Sequence, residues 1–158
     1  MIILAVLSIY SYLQSNPSRP PRIALKSAVI TLERSACFGG CPVYRLAIYG
    51  DGRVFYEGIK FVNATGTRMD QISPDKARAL VGEFYKIDYF SLEDKYVEKC
   101  GITGCVRVTD LPTITTSITV GGKTKKVIDY YGAPRKLKEL EAEIDRAANS
   151  ERWVKISN

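Results

Sequence analysis

The sequence predicts an α+β domain, a mostly antiparallel sheet built from two β-hairpins plus flanking strands with two helices packed on one face. Three observations lead there. Two glycine-centred turns are each flanked by runs of β-branched and aromatic residues. Two segments that open on a proline carry apolar residues at helical spacing. The resulting order, hairpin then helix, twice over, gives the sheet one face for its helices to cover. A chain of 158 residues, 46% hydrophobic and 25% charged, is sized for one ordinary domain with a core and too small for two.

The elements follow in order. Residues 28–35 (AVITLERS) have the composition of a first strand, and a cysteine turn occupies residues 37–42. Residues 43–49 (VYRLAIY) and 53–57 (RVFYE) flank Gly50-Asp51-Gly52, a hairpin signal because Asp-Gly readily supplies the positive φ angles of tight turns. A further strand is expected around residues 67–72. Ser73-Pro74-Asp75 then opens a helix, with Ser73 as N-cap and Pro74 in the first helical position. Ala77, Leu80, Val81, Phe84 and Tyr85 form its buried face, and it ends before Phe90. Residues 113–120 (TITTSITV) and 124–130 (TKKVIDY), joined through Gly121-Gly122-Lys123, give the second hairpin. Pro134 starts the last helix, with Leu137, Leu140, Ile144 and Ala147 on one side. The repeated order is compatible with a pseudo-duplicated ββα plan.

Residues 1–13 (MIILAVLSIYSYL) form an uncharged apolar run. As a helix it would reach roughly 20 Å against about 30 Å of bilayer hydrocarbon. That length suits the apolar region of a secretory signal or a short membrane anchor, without the usual preceding basic residues or a clear cleavage site. Residues 14–27 read as a proline-rich linker, its arginines suited to lipid headgroups. Residues 28–158 make up the single domain. The net charge of +6 favours anionic surfaces. Lys123, Lys125, Lys126, Arg135, Lys136 and Lys138 are close enough in sequence to form a basic contact surface.

Histidine is absent. This excludes Ser-His-Asp and Cys-His catalysis, histidine-ligated metals and covalent haem attachment within the chain. Chemistry must therefore rest on cysteine, carboxylate, lysine or tyrosine, and the carboxylates, scattered at turns and helix starts, show no catalytic spacing. Cys37-Phe-Gly-Gly-Cys41-Pro42 and Cys100-Gly-Ile-Thr-Gly-Cys105 each hold two cysteines close together with glycines between them. Four cysteines allow three connectivities. In the chain-entropy model a local bridge contributes about 2 kcal/mol and one joining the two clusters roughly 4 kcal/mol, which favours cross-linking without deciding the geometry, so pairing stays open at this point. A redox-active pair calls for a lowered thiol pKa, usually from a helix N-terminus, whereas Cys37 follows a strand and Pro42 opens another. A four-cysteine zinc site has suitable ligands with looser gaps than common zinc knuckles.

Leu32-Glu33-Arg34, Cys37-Phe38-Gly39-Gly40-Cys41-Pro42-Val43-Tyr44, Asp110-Leu111-Pro112-Thr113, Tyr130-Tyr131-Gly132-Ala133-Pro134 and Glu151-Arg152-Trp153 resemble a bacterial family called domain of unknown function 6438. Its motif, Cys-Phe-Gly-x-Cys-Pro-x-Tyr, contains the first cysteine pair and not the second. A pair that stands alone in relatives can close on itself, so the resemblance implies structural disulfides Cys37–Cys41 and Cys100–Cys105. The resulting expectation is a disulfide-stapled, non-enzymatic interaction module without catalytic residue, cofactor or metal. It would be exported to the periplasm or cell surface, or tethered there through its N-terminal segment. Its partner would be another membrane or envelope protein, as for an accessory subunit of a membrane complex, or an anionic membrane surface, and not nucleic acid. The alternatives are a thiol–disulfide redox protein using Cys37 and Cys41, and a zinc-stabilised domain.

Overall fold

The computed structural model describes residues 25–155, so the apolar segment 1–13 and residues 14–24 of the predicted linker lie outside the described residues. Strands β1 (Val29–Arg34), β2 (Val43–Tyr49), β3 (Arg53–Lys60) and β4 (Gly66–Gln71) precede helix α1 (Pro74–Lys86). A single 3-10 turn at Tyr89–Ser91 leads to β5 (Lys95–Tyr96), β6 (Lys99–Gly101) and β7 (Gly104–Val106). Then come β8 (Ile114–Val120), β9 (Lys123–Asp129), α2 (Arg135–Ala148) and the short α3 (Glu151–Val154).

The large sheet runs β4-β3-β2-β1-β8-β9-β5. Strand β1 joins the two predicted hairpins, pairing antiparallel with β2, where Arg34 faces Tyr44, and with β8, where Arg34 faces Ile114. Alternation turns Ile30 and Leu32, Tyr44, Leu46 and Ile48, Val54 and Tyr56, and Thr116, Ile118 and Val120 toward the core. There they meet Ala77, Leu80, Val81 and Phe84 of α1 and Leu137, Leu140, Ile144 and Ala147 of α2 in one apolar cluster. Each large apolar side chain so buried stabilises the fold by about 1.5–3 kcal/mol. The opposite face carries Thr31 and Ser117, whose hydroxyls lie 2.6 Å apart, as suits a sheet solvated on one side.

Local chemistry explains the element ends. The Ser73 hydroxyl accepts from the Lys76 N–H at 3.2 Å, with Pro74 behind it. In the first hairpin turn the positive φ falls on Gly52 (+93°) and not on Asp51, whose carboxylate accepts from the Arg53 N–H at 3.1 Å. The second hairpin is tighter than predicted. Val120 pairs with Lys123 across a two-residue turn in which Gly121 and Gly122 have φ of +58° and +75°.

The domain is thus a mixed α+β fold with antiparallel sheets, and three features depart from the expected plan. Helix α3 is a third helix: Trp153 packs on Tyr56 with ring centroids 4.9 Å apart, and its carbonyl accepts from the Ala64 N–H at 2.9 Å. Strand β5 pairs with β9 in parallel. Strands β6 and β7 form a separate two-stranded sheet. Among the described residues no helix is long and apolar enough to cross a membrane.

Candidate functional site

The pairing registers bring the C-terminal ends of β1, β5 and β9 and the N-terminal ends of β2 and β8 to one end of the sheet. All four cysteines lie in connections at this end, as two local bridges. Cys37–Cys41 spans the loop between β1 and β2 with Cα atoms 5.6 Å apart, and Cys100–Cys105 links directly opposed residues of β6 and β7 with Cα atoms 3.9 Å apart. No described cysteine is free.

The first bridge is half-buried and its rim is open. Phe38 is 88% exposed, and side-chain atoms placed on Gly39 or Gly40 would meet nothing within 4 Å. The base of the loop is held firmly. Arg34 donates twice to one Asp145 oxygen, at 2.7 and 3.1 Å, while the hydroxyls of Tyr44 (2.7 Å) and Ser150 (2.6 Å) donate to the other. Burial, reinforced by the Asp145 charge, pushes the Tyr44 phenol well above its ordinary pKa, so it stays a neutral donor. The Phe38 N–H donates to the Asp110 carbonyl at 3.3 Å, tying this loop to the segment that returns from β7.

The second bridge is exposed on both cysteines, and it has company. A carboxylate oxygen of Glu98 and the sulfurs of Cys100 and Cys105 all lie within 4.8 Å of one another. Only when that bridge is reduced do two thiolates and a carboxylate become a donor set for a thiophilic divalent cation. Glu98 is fixed in place. Its Oε2 accepts from Arg107 Nε at 2.6 Å, and its carbonyl packs so closely on Gly132 that a Cβ there would lie 2.5 Å from it.

This arrangement corrects the expectation of a purely non-enzymatic interaction module. A pair serving only as a staple needs no third donor, whereas Cys100 and Cys105 share their space with Glu98, and both bridges sit in accessible loops. The four-cysteine zinc site is also revised: the gathered donors are one cysteine pair and Glu98. Sequence spacing could not show this, because Glu98 acquires meaning only once β6 and β7 pair.

The predicted basic residues are dispersed. Strand alternation puts Lys126 on the open face of the sheet and Lys125 on the other, where it pairs with Asp94. Lys138 pairs with buried Asp129 at 2.7 Å, Arg135 with Glu139 at 2.7 Å, and Lys136 donates to the Ile87 carbonyl at 2.7 Å. Lys123 lies at the start of β9, next to the turn. A buried polar group on the helix side went unread in the sequence: Glu141 of α2 lies near Thr116 and Asp129. Desolvation, reinforced by the Asp129 charge, raises the Glu141 pKa to about 8. A depression of about 590 Å³ lies on the open sheet face among Thr31, Ala47, Phe55 and Ser117, and no cysteine lines it.

The chain belongs to the family described as domain of unknown function (DUF6438), whose model matches residues 28–148. The match contains both bridges and Glu98, and it ends before α3. No curated protein matches the chain.

Proposed function

We propose that this member of the family is a thiol–disulfide redox protein in which Cys37–Cys41 is the exchanging pair. The observation that carries this reading is the placement of the bridge. It closes a short surface loop, outside the apolar core and beside the open space over Gly39 and Gly40. A bridge across so few residues contributes only about 2 kcal/mol by loop closure, so opening it leaves the sheet and its helices in place. The reaction balances as ordinary exchange. A dithiol partner attacks one sulfur as thiolate, a mixed disulfide forms, and the partner's second thiol resolves it. The partner leaves as a disulfide and Cys37 and Cys41 as thiols. The Arg34–Asp145–Tyr44 knot positions both ends of the loop through either state. An oxidising compartment, periplasm or cell surface, is the setting in which such bridges persist.

The reduction potential of Cys37–Cys41 tests the reading. Measured against a dithiol buffer in a Cys100→Ser/Cys105→Ser background, it is expected above about −300 mV, with exchange abolished in Cys37→Ser/Cys41→Ser. A potential far below that value marks an inert staple and overturns the assignment.

A further inference from the structure

The geometry points to a second, redox-gated site: on reduction of Cys100–Cys105, the two thiolates and the Glu98 carboxylate bind one thiophilic divalent cation of the zinc type. This goes beyond exchange at Cys37–Cys41 and does not depend on it.

The three donors are already gathered. Their ligand atoms lie within 4.8 Å of one another, on a hairpin whose two strands hold Cys100 and Cys105 directly opposite each other. Tetrahedral coordination with sulfur bonds of about 2.3 Å sets two sulfurs roughly 3.8 Å apart, a separation that side-chain rotation reaches once the bond is broken. Both cysteines are exposed, so a reductant and then a cation can approach without opening the core.

Glu98 is prepared as a ligand. Arg107 holds one carboxylate oxygen at 2.6 Å, which leaves the other to coordinate, and such an outer hydrogen bond orients a metal-binding carboxylate. The close packing of its carbonyl on Gly132, where φ is +89° and a Cβ has no room, fixes the backbone that carries it. Three protein ligands leave a fourth position for water or a substrate atom, the pattern of open rather than closed zinc sites.

Gating follows from the chemistry of sulfur. In the disulfide each sulfur is bonded to the other, and neither is a thiolate. A dithiol reductant supplies two electrons and two protons, becoming a disulfide itself and leaving Cys100 and Cys105 as thiols. The cation then displaces both thiol protons to solvent as the two metal–sulfur bonds form. In reverse, a small-molecule or protein disulfide takes the two electrons of the metal-bound thiolates and, with two protons from solvent, leaves as a dithiol; Cys100–Cys105 re-forms and the metal is released, so occupancy reports the redox state.

Cobalt(II) is the probe, titrated into the full chain before and after reduction, with thiolate-to-cobalt charge-transfer absorption as the readout and circular dichroism as the check on folding. The reduced protein is expected to take up one equivalent and the oxidised protein none. Cys37→Ser/Cys41→Ser retains uptake, which separates this site from thiol exchange at the first bridge. Cys100→Ser/Cys105→Ser, on an exposed hairpin outside the core, stays folded and loses it. Glu98→Gln weakens binding at least about tenfold, as does Arg107→Ala through the freed carboxylate. Failure of the reduced, folded protein to take up cobalt overturns the proposal, as does uptake that survives Cys100→Ser/Cys105→Ser or is indifferent to Glu98→Gln.

Discussion

At the scale of single residues, the buried carboxyl of Glu141 sets how the fold responds to pH. It is enclosed between α2 and the sheet, near Thr116, with Asp129 and the cations Arg34 and Lys138 as the charges that act on it. Lys138 pairs with Asp129, and the second Asp129 oxygen is buried without a hydrogen-bond partner among the described residues. Desolvation, reinforced by the Asp129 charge and only partly offset by Arg34 and Lys138, favours a proton on Glu141, whose pKa rises from 4.5 to about 8. A pKa raised by folding means that the folded state holds the proton more tightly than the unfolded chain. The associated stability is complete below pH 4.5, declines as pH rises, and is gone above about 8. Glu141→Gln keeps the shape without the ionisation. Its melting temperature should change little from pH 4.5 to 8, while the parent loses stability on the order of a few kcal/mol over the same window. Parallel melting curves against pH for the two proteins would show that Glu141 does not titrate with folding.

At the scale of elements, legibility followed the strength of the local rule. Helix α1 was readable because Ser73, Pro74 and the apolar spacing all mark the same start, and the Ser73 hydroxyl does cap it. Ser73→Ala removes that acceptor and should cost about 1 kcal/mol, seen as a lower midpoint in urea with an unchanged slope. A shift within error would mean that Pro74 and Asp75 suffice to start the helix. The hairpins were readable because glycine carries the turns at Gly52 and at Gly121-Gly122. Strands β5, β6 and β7 were not, since two or three residues hold too little alternation to register. That gap hid the candidate metal site: both cysteines were noticed, but Glu98 sits just before β6 and looks like any loop acid until the hairpin forms. Glu141 was missed for the opposite reason. The helical period puts position 141 on the buried face with Leu137, Leu140 and Ile144, but a charged side chain is read as solvated wherever it falls.

At the scale of the whole molecule, the core and the cysteines are separate systems. The apolar cluster is formed by β1, β2, β3, β8 and β9 with α1 and α2, and no cysteine belongs to it. Both bridges close short loops at one end of the sheet, with four and five positions from one cysteine to the next. Each therefore restricts the unfolded chain little, about 2 kcal/mol by loop closure. The pair adds about 4 kcal/mol, against a total stability that for a domain of this size is about 5–15 kcal/mol. A disulfide scaffold for a chain with too little core would behave otherwise, because its bridges would supply most of the stability. The fully reduced protein, with a chelator present so that a captured cation cannot compensate, should thus keep its far-ultraviolet circular dichroism and a single cooperative melt. Its melting temperature should fall by roughly 10–20 °C. A reduced chain that loses cooperativity and binds hydrophobic dyes would instead make the bridges the frame of the fold, and switching either of them would then unfold the protein rather than regulate it.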